Sequence, residues 1–327
     1  MATTETTQKC GNSKCDKTSS STTLQQCGRC KKTAYCSKDC QAASWPTHKK
    51  RCHHQNYIVK FQLAPEKITD PPVFRTLSCP ADAVFYHLHM ALQLAFGWST
   101  THSFDFAVLN PDYTMPDDPL SMYQYMMMTS SMGRQPDPSA PQEYLFRVVD
   151  PVEQTAFSGI DRMHEGTRRH PNTKEKKADS YKLRHLFDDP KYSGHKMVYT
   201  YDFGDNWEHE MTVLGRTDAT HDFVCLDGAG HYVAEDVGGT RGWQNLKEAY
   251  RTARPSAEQR DRRRWFETQC SNADAAGLAG DRVNAWDRQA INEKLKSDRL
   301  FDHFDRMADA SAAQAEQYEQ SMRQRRT

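Results

Sequence analysis

The spacing of cysteines between Cys10 and Cys52 constrains this chain more than any other feature. Seven of the ten cysteines fall within these 43 residues, as CGNSKC, CGRC, CSKDC and HKKRC in turn. With one histidine they form four short-spaced pairs: Cys10 with Cys15, Cys27 with Cys30, Cys36 with Cys40, and His48 with Cys52. A tetrahedral zinc ion takes four thiolate or imidazole ligands, usually as two such pairs. Eight ligands therefore make two closed sites, which leave no position for water or substrate and are structural. Beyond Leu24, Ala34, Tyr35 and Trp45 the segment has little to bury, so its folding energy is expected to come from metal. Spacing alone leaves open which pairs share an ion.

Cys36 and Cys40 are four apart, as are His48 and Cys52, so each pair is expected on one helix face. The pattern predicts a short helix over 37–43 and a second one started by Pro46. The run LQQCGRCKKTAYCSKDCQAASWPTHKKRC, with the Cys10/Cys15 pair before it, resembles a MYND-type zinc finger over residues 10–52. The first pair is Cys-x4-Cys where that family more often has Cys-x2-Cys. The resemblance implies an interleaved fold. Cys10, Cys15, Cys36 and Cys40 would hold one zinc ion, and Cys27, Cys30, His48 and Cys52 the other. It also implies a protein partner, since such fingers mainly bind short proline-containing peptides. The segment is basic: Lys14, Lys17, Arg29, Lys31, Lys32, Lys38, Lys49, Lys50 and Arg51 face only Asp16 and Asp39. A nucleic-acid patch is one reading. Offset of the formal negative charge on zinc–thiolate sites is the favoured one.

At 327 residues the chain has room for about two domains. Lys+Arg and Asp+Glu both number 43, so no global charge argues for nucleic acid or acidic substrates. A mean hydropathy of −0.87 predicts long polar loops and tails. No apolar run approaches the ~18 residues of a membrane span, so no membrane partner is expected. The start, MATTETTQKC, has no secretory-signal pattern. Clustered cysteines then suggest metal in a reducing intracellular compartment, nucleus or cytoplasm. Cys79, Cys225 and Cys270 lie outside the cluster and are expected as single reduced thiols.

After a disordered tail over 1–9 and the finger, a connector at 53–56 leads to a larger α+β domain over 57–297. His53 and His54 follow a ligand but are expected in solvent. Alternation predicts strands over 56–64, 73–79, 103–109 and 143–150. PADAVFYHLHMALQLAFGW predicts a helix over 80–98, with Pro80 in its first turn and Gly97 ending it. His87 and His89 on it are expected to be partly exposed. Residues 130–175 read as a mobile polar insertion, the Met run 126–128 as a packed loop, and 164–180 as an exposed loop. MVYTYDFGDNWEHEMTVLG (197–215) predicts a β-hairpin turning at Gly204-Asp205-Asn206. Its aromatic face, with His209 and Val213, should be buried, and its other face, with Asp202, Glu208 and Glu210, solvated. A strand, a Gly-rich loop and a helix over 241–251 follow. Further helices are expected near 256–269 and 286–296, and a frayed or disordered tail over 298–327.

PPVFRTLSCPADAVFYHLHMALQLAFGW, YTYDFGDNWEHEMTVLG, AEDVGGTRGWQNLKEAY and INEKL occur in that order. They resemble the plasmid pRiA open-reading-frame-3-like family, also described as similar to a transposon passenger protein. The resemblance spans about residues 57–297 and implies a compact α+β fold of unassigned biochemical role. Where many members carry a second cysteine after the one matched by Cys225, this chain has Tyr232, which argues against a metal or redox role for Cys225. His102 matches a family histidine, but a second one two residues later is replaced by Phe104.

The reading is a zinc-binding interaction protein, not an enzyme. A lysine methyltransferase with an embedded finger would need an Asn-His-Ser-Cys segment, which is absent. The enzyme alternative is a metal-dependent hydrolase using Asp202, Asp205, Glu208, Glu235 or Asp236. The third alternative is nucleic-acid binding, which the even charge balance disfavours.

Overall fold

The computed structural model describes residues 7–114, 142–151 and 173–296, with Leu120. The Met run, residues 130–141 and 152–172 of the expected insertion, and the 298–327 tail lie outside these residues.

The finger begins with backbone pairing of Lys9 to Thr18. A two-stranded antiparallel ribbon follows, β1 (Gln25–Gln26) with β2 (Ala34–Tyr35), then one helix, α1 (Lys38–His48). Ser37 caps α1, its hydroxyl accepting from the Cys40 amide. The two helices expected over this stretch are one. Pro46 sits inside α1, and the helix runs on to a Lys49 amide bonded to the Trp45 carbonyl. Thr47 Oγ1 also returns to the Ser44 carbonyl at 2.9 Å. The proline thus removes a single donor without ending the helix. A three-residue 3-10 turn over Lys49–Arg51 then delivers Cys52.

The larger domain is built on an eight-stranded sheet. Its strands are β3 (Asn56–Leu63), β4 (Val73–Cys79), β5 (Phe104–Leu109), β6 (Tyr144–Val149), β7 (Lys174–Lys177), β8 (Met197–Tyr201), β9 (Trp207–Thr217) and β10 (Val224–Ala229). Their order is β10-β4-β3-β9-β8-β5-β6-β7. Every pairing is antiparallel except β6 with β7. In β3, Tyr57, Val59, Phe61 and Leu63 are buried while Ile58, Lys60 and Gln62 are only half covered. This is the period-two pattern of a sheet with one face on the core. Over that face lies α2 (Phe85–Phe96), which contributes Phe85, Leu88, Ala91, Leu92, Ala95 and Phe96 to the same core as Tyr199, Tyr201, Trp207 and Met211. The remaining helices are α3 (Leu183–Phe187), α4 (Gly239–Arg251), α5 (Ala257–Thr268) and α6 (Arg288–Leu295). Helices α4 and α5 pack together, and α6 packs on β10 and α2.

Several expectations change in this frame. Helix α2 starts at Phe85, because Val84 is extended and bridges Lys182. Pro80 precedes the helix, and Gly97 ends it in the left-handed conformation. His89 is not exposed but fully buried, stacked on Phe104 at 3.6 Å. Lys174–Lys177, expected within a loop, is the edge strand β7. Its charged side chains suit an unpaired edge but hide the strand from any hydrophobic pattern. Val213 is more than a third exposed, beside the β-bulge at which Leu214 is the extra residue. His54 is not simply solvated: its Nδ1 lies 2.8 Å from Asp82 Oδ2.

Candidate metal centre

The finger gathers its eight candidate ligands into two groups: Cys10, Cys15, Cys36 and Cys40, and Cys27, Cys30, His48 and Cys52. First pair meets third, and second meets fourth. Gly11 makes the first close approach possible. Its amide bonds the Ala34 carbonyl at 2.8 Å, and a Cβ there would lie 2.3 Å from Thr33 Cγ2. The pairs do not ride on one helix face as expected. Cys40 and His48 lie on α1, while Cys36 precedes it and Cys52 follows the 3-10 turn. Tyr35, buried between the groups' elements, meets the His48 ring edge-on at 5.8 Å.

The distances test the fit. In the first group Cys36 Sγ lies 3.8 Å from Cys10, 3.7 Å from Cys15 and 3.5 Å from Cys40. In the second, Cys27 Sγ lies 3.6 Å from Cys52 and 3.4 Å from His48 Nε2, which is 3.6 Å from Cys30. Bond lengths of about 2.3 Å to sulfur and 2.0 Å to nitrogen give tetrahedron edges of about 3.8 Å for S···S and about 3.5 Å for S···N. The two clusters therefore fit two zinc sites. Charge points the same way. Burial, with the adjoining Cys27 sulfur, pushes the Cys52 thiol up to about 12. The hydrogen bond to Cys40, with burial, raises Cys36 to about 12. Their partners move the other way, Cys27 to about 6 and Cys40 to about 7, where hydrogen bonds to the sulfurs outweigh burial, so without a cation one sulfur of each pair ionises at its neighbour's expense. None of the ten cysteines is in a disulfide.

The acidic residues of the larger domain divide. Asp202, Glu235 and Asp236 come together around His102, whereas Asp205 and Glu208 do not join them. Three loops make this arrangement: the segment after α2, the β8–β9 turn, and the loop between β10 and α4. Asp202 is not on a solvated hairpin face. Its backbone is left-handed, its Oδ1 accepts from the Gly204 amide at 2.8 Å, and it is buried. Glu235 is buried too. Its Oε1 accepts from Tyr201 Oη at 2.6 Å and Thr101 Oγ1 at 3.2 Å, and its Oε2 from the Ser99 amide at 3.0 Å. Asn272 fixes the loop, accepting from the Glu235 amide and donating to the Gly97 and Val233 carbonyls. His102 Nε2 lies 3.0 Å from Asp236 Oδ1 and 3.9 Å from Glu235 Oε1, and Nδ1 lies 3.8 Å from Asp202 Oδ1. Burial raises both the Asp202 and the Glu235 carboxyls. Asp205 instead accepts from the Gly238 amide at 3.0 Å, and Glu208 from Asn206. Sequence reading connected His102 only to a family position; the signal that joins it to the hairpin is tertiary.

Fold and clusters together define a zinc-binding protein-interaction finger carried on an α+β domain of unassigned role. The family models agree in both parts: MYND finger matches residues 8–52 and Plasmid pRiA4b ORF-3-like protein matches residues 55–292. The chain belongs to the plasmid pRiA4b ORF-3-like family and carries a MYND finger ahead of that domain. A relative described as Uncharacterized protein y4hQ, of Sinorhizobium fredii (strain NBRC 101917 / NGR234), is 24% identical over 194 residues, covering 59% of this chain and 72% of that one. The crystal structure of the protein of unknown function MM3350 from Methanosarcina mazei Go1 superposes with a TM-score of 0.45 at 20% identity, covering 72% of this chain and 96% of that one. Among the described residues no helix is long and apolar enough to cross a membrane.

Proposed function

We propose that this protein is an intracellular adaptor whose finger captures an extended, proline-containing segment of a partner protein. Cys10, Cys15, Cys36 and Cys40 hold one structural zinc ion, and Cys27, Cys30, His48 and Cys52 the other. Residues 10–52 form the binding module, 53–56 the connector and 57–297 the carrier domain, and the activity is binding, not catalysis. The interleaved four-ligand clusters carry this reading, because all eight donors are used in closing the finger. Its surface supports peptide capture. Trp45 is 37% exposed with the Arg29 guanidinium 5.6 Å from its ring centre. Both residues of β1 are exposed, and among the described residues no strand pairs with its outer edge. An aromatic face and an open strand edge are what extended and polyproline-type peptides use.

The test is fluorescence anisotropy of labelled proline-containing peptides against the full zinc-loaded chain, with native mass spectrometry counting zinc. Trp45→Ala should weaken binding at least tenfold while two zinc ions remain. Cys27→Ser should lose one ion and the binding with it. Failure of every such peptide to bind, or equal binding by Trp45→Ala, would overturn peptide capture. Fewer than two zinc ions on the intact chain would overturn the ligand sets.

A further inference from the structure

We propose that the larger domain holds a third metal site, for one divalent cation bound by His102, Asp202 and Asp236, with Glu235 behind them. One ligand atom from each of the three lies within 4.8 Å of the others. The separation of 3.0 Å between His102 Nε2 and Asp236 Oδ1, a hydrogen bond as it stands, has the length of an adjacent-ligand edge around an octahedral ion with bonds of about 2.1 Å, and Asp202 Oδ1 lies 3.8 Å from the ring's other nitrogen. The site is therefore an imidazole held among carboxylates that converge from three separate loops.

The second observation is the charge behind it. The Asp202 and Glu235 side chains are 9% and 1% exposed. Among the described residues neither pairs with a lysine or arginine, and His102 is the sole cationic candidate for both. Buried carboxylates are ordinarily paired with a cation or coordinated to a metal. Glu235 also has its oxygens taken up by Tyr201, Thr101 and the Ser99 amide, which fixes its position behind the ligands. His102 and Asp236 are 31% and 53% exposed, so the ion has an entry path and solvent can fill its open positions. The donor set is two carboxylates and one borderline imidazole, with no thiolate. That chemistry admits Mn²⁺, whereas the thiolate clusters of the finger select zinc.

The test uses the full, zinc-loaded chain and Mn²⁺ alone as probe, with free Mn²⁺ read by electron paramagnetic resonance. One Mn²⁺ per chain is expected beyond the two zinc ions. Asp202→Asn and Asp236→Asn should each weaken it at least tenfold, and Glu208→Gln, on the same hairpin but outside the cluster, should leave it unchanged. Buried-tryptophan fluorescence reports folding, and Asp236, being exposed, can be changed without disturbing the core. Absence of Mn²⁺ binding at millimolar concentration, or equal binding by Asp202→Asn and Asp236→Asn, would overturn the site. The finger's peptide binding is measured separately and does not depend on the outcome.

Discussion

Two neutral histidines should set the acid stability of the larger domain. His89 on α2 and His209 on β9 are both fully buried. His89 stacks on Phe104 and shares a 2.8 Å hydrogen bond with the Tyr199 hydroxyl. His209 Nδ1 lies 2.9 Å from the Trp207 carbonyl, and since a carbonyl only accepts, the proton of the neutral ring sits on Nδ1. Burial lowers both from 6.5 to about 3. The unfolded chain therefore binds these protons below about pH 6.5 while the folded chain refuses them until about pH 3. Their contribution is fully present above the unfolded value and is lost as pH falls through this window. Each costs about 1.4 kcal/mol per pH unit, so the pair removes about 4 kcal/mol between about pH 6.5 and pH 5. That is a large part of the roughly 5–15 kcal/mol that stabilises an ordinary domain. The raised Asp202 and Glu235 carboxyls act with the opposite sign, since protonating them favours the fold. Comparing variants cancels that effect. Urea unfolding followed by the buried residues Trp98, Trp207 and Trp243, repeated from about pH 7.5 to pH 5, reads the slope. His209→Asn keeps a donor near the Trp207 carbonyl and should reduce the loss by about half, or roughly 2 kcal/mol. His89→Asn should do the same, whatever its stability at neutral pH. A slope unchanged in both variants would refute the reasoning.

Two further outcomes follow from packing and metal. Stripping zinc with a strong chelator should unfold residues 10–52 and leave the larger domain folded, because the finger's own buried cluster is Cys10, Cys27, Cys30, Tyr35 and Cys52 and little else; circular dichroism with buried-tryptophan emission checks this, and loss of both signals together would contradict it. Arg75→Met should destabilise the larger domain by about 3 kcal/mol in urea unfolding. The buried guanidinium donates to the Ala95, Phe74, Ala229 and Gly230 carbonyls, and methionine would orphan several of them. Burial already lowers Arg75 to about 10, so relief from desolvation should trim the loss, and a neutral result would show that it cancels.

What could be read in advance depended on whether the governing interaction was local. Cysteine pairs are local, so the ligands were legible from spacing, and their interleaving from the family pattern. The strands β3, β4, β5 and β6, the hairpin and helix α2 carry their own periodicity and were legible too. The β7 strand was not, because KEKK at a sheet edge obtains its structure from β6 and not from its side chains. The second helix expected from Pro46 does not form as a separate element for a related reason: the ladder resumes with the Lys49 amide on the Trp45 carbonyl, so the proline removes one donor and no more. The cluster around His102 is the extreme case. Its carboxylates Asp202, Glu235 and Asp236 stand out in the sequence as candidate metal ligands, but His102 lies up to 134 residues from them and nothing in its own segment joins it to them. Asp202 reads as part of a solvated hairpin face, yet it is buried and its amide bonds the Ser103 carbonyl at 3.0 Å, next to His102. The same tertiary closure that brings His102 to the hairpin removes Asp202 and Glu235, though not the exposed Asp236, from water, and that removal is what would give a cation there something to gain.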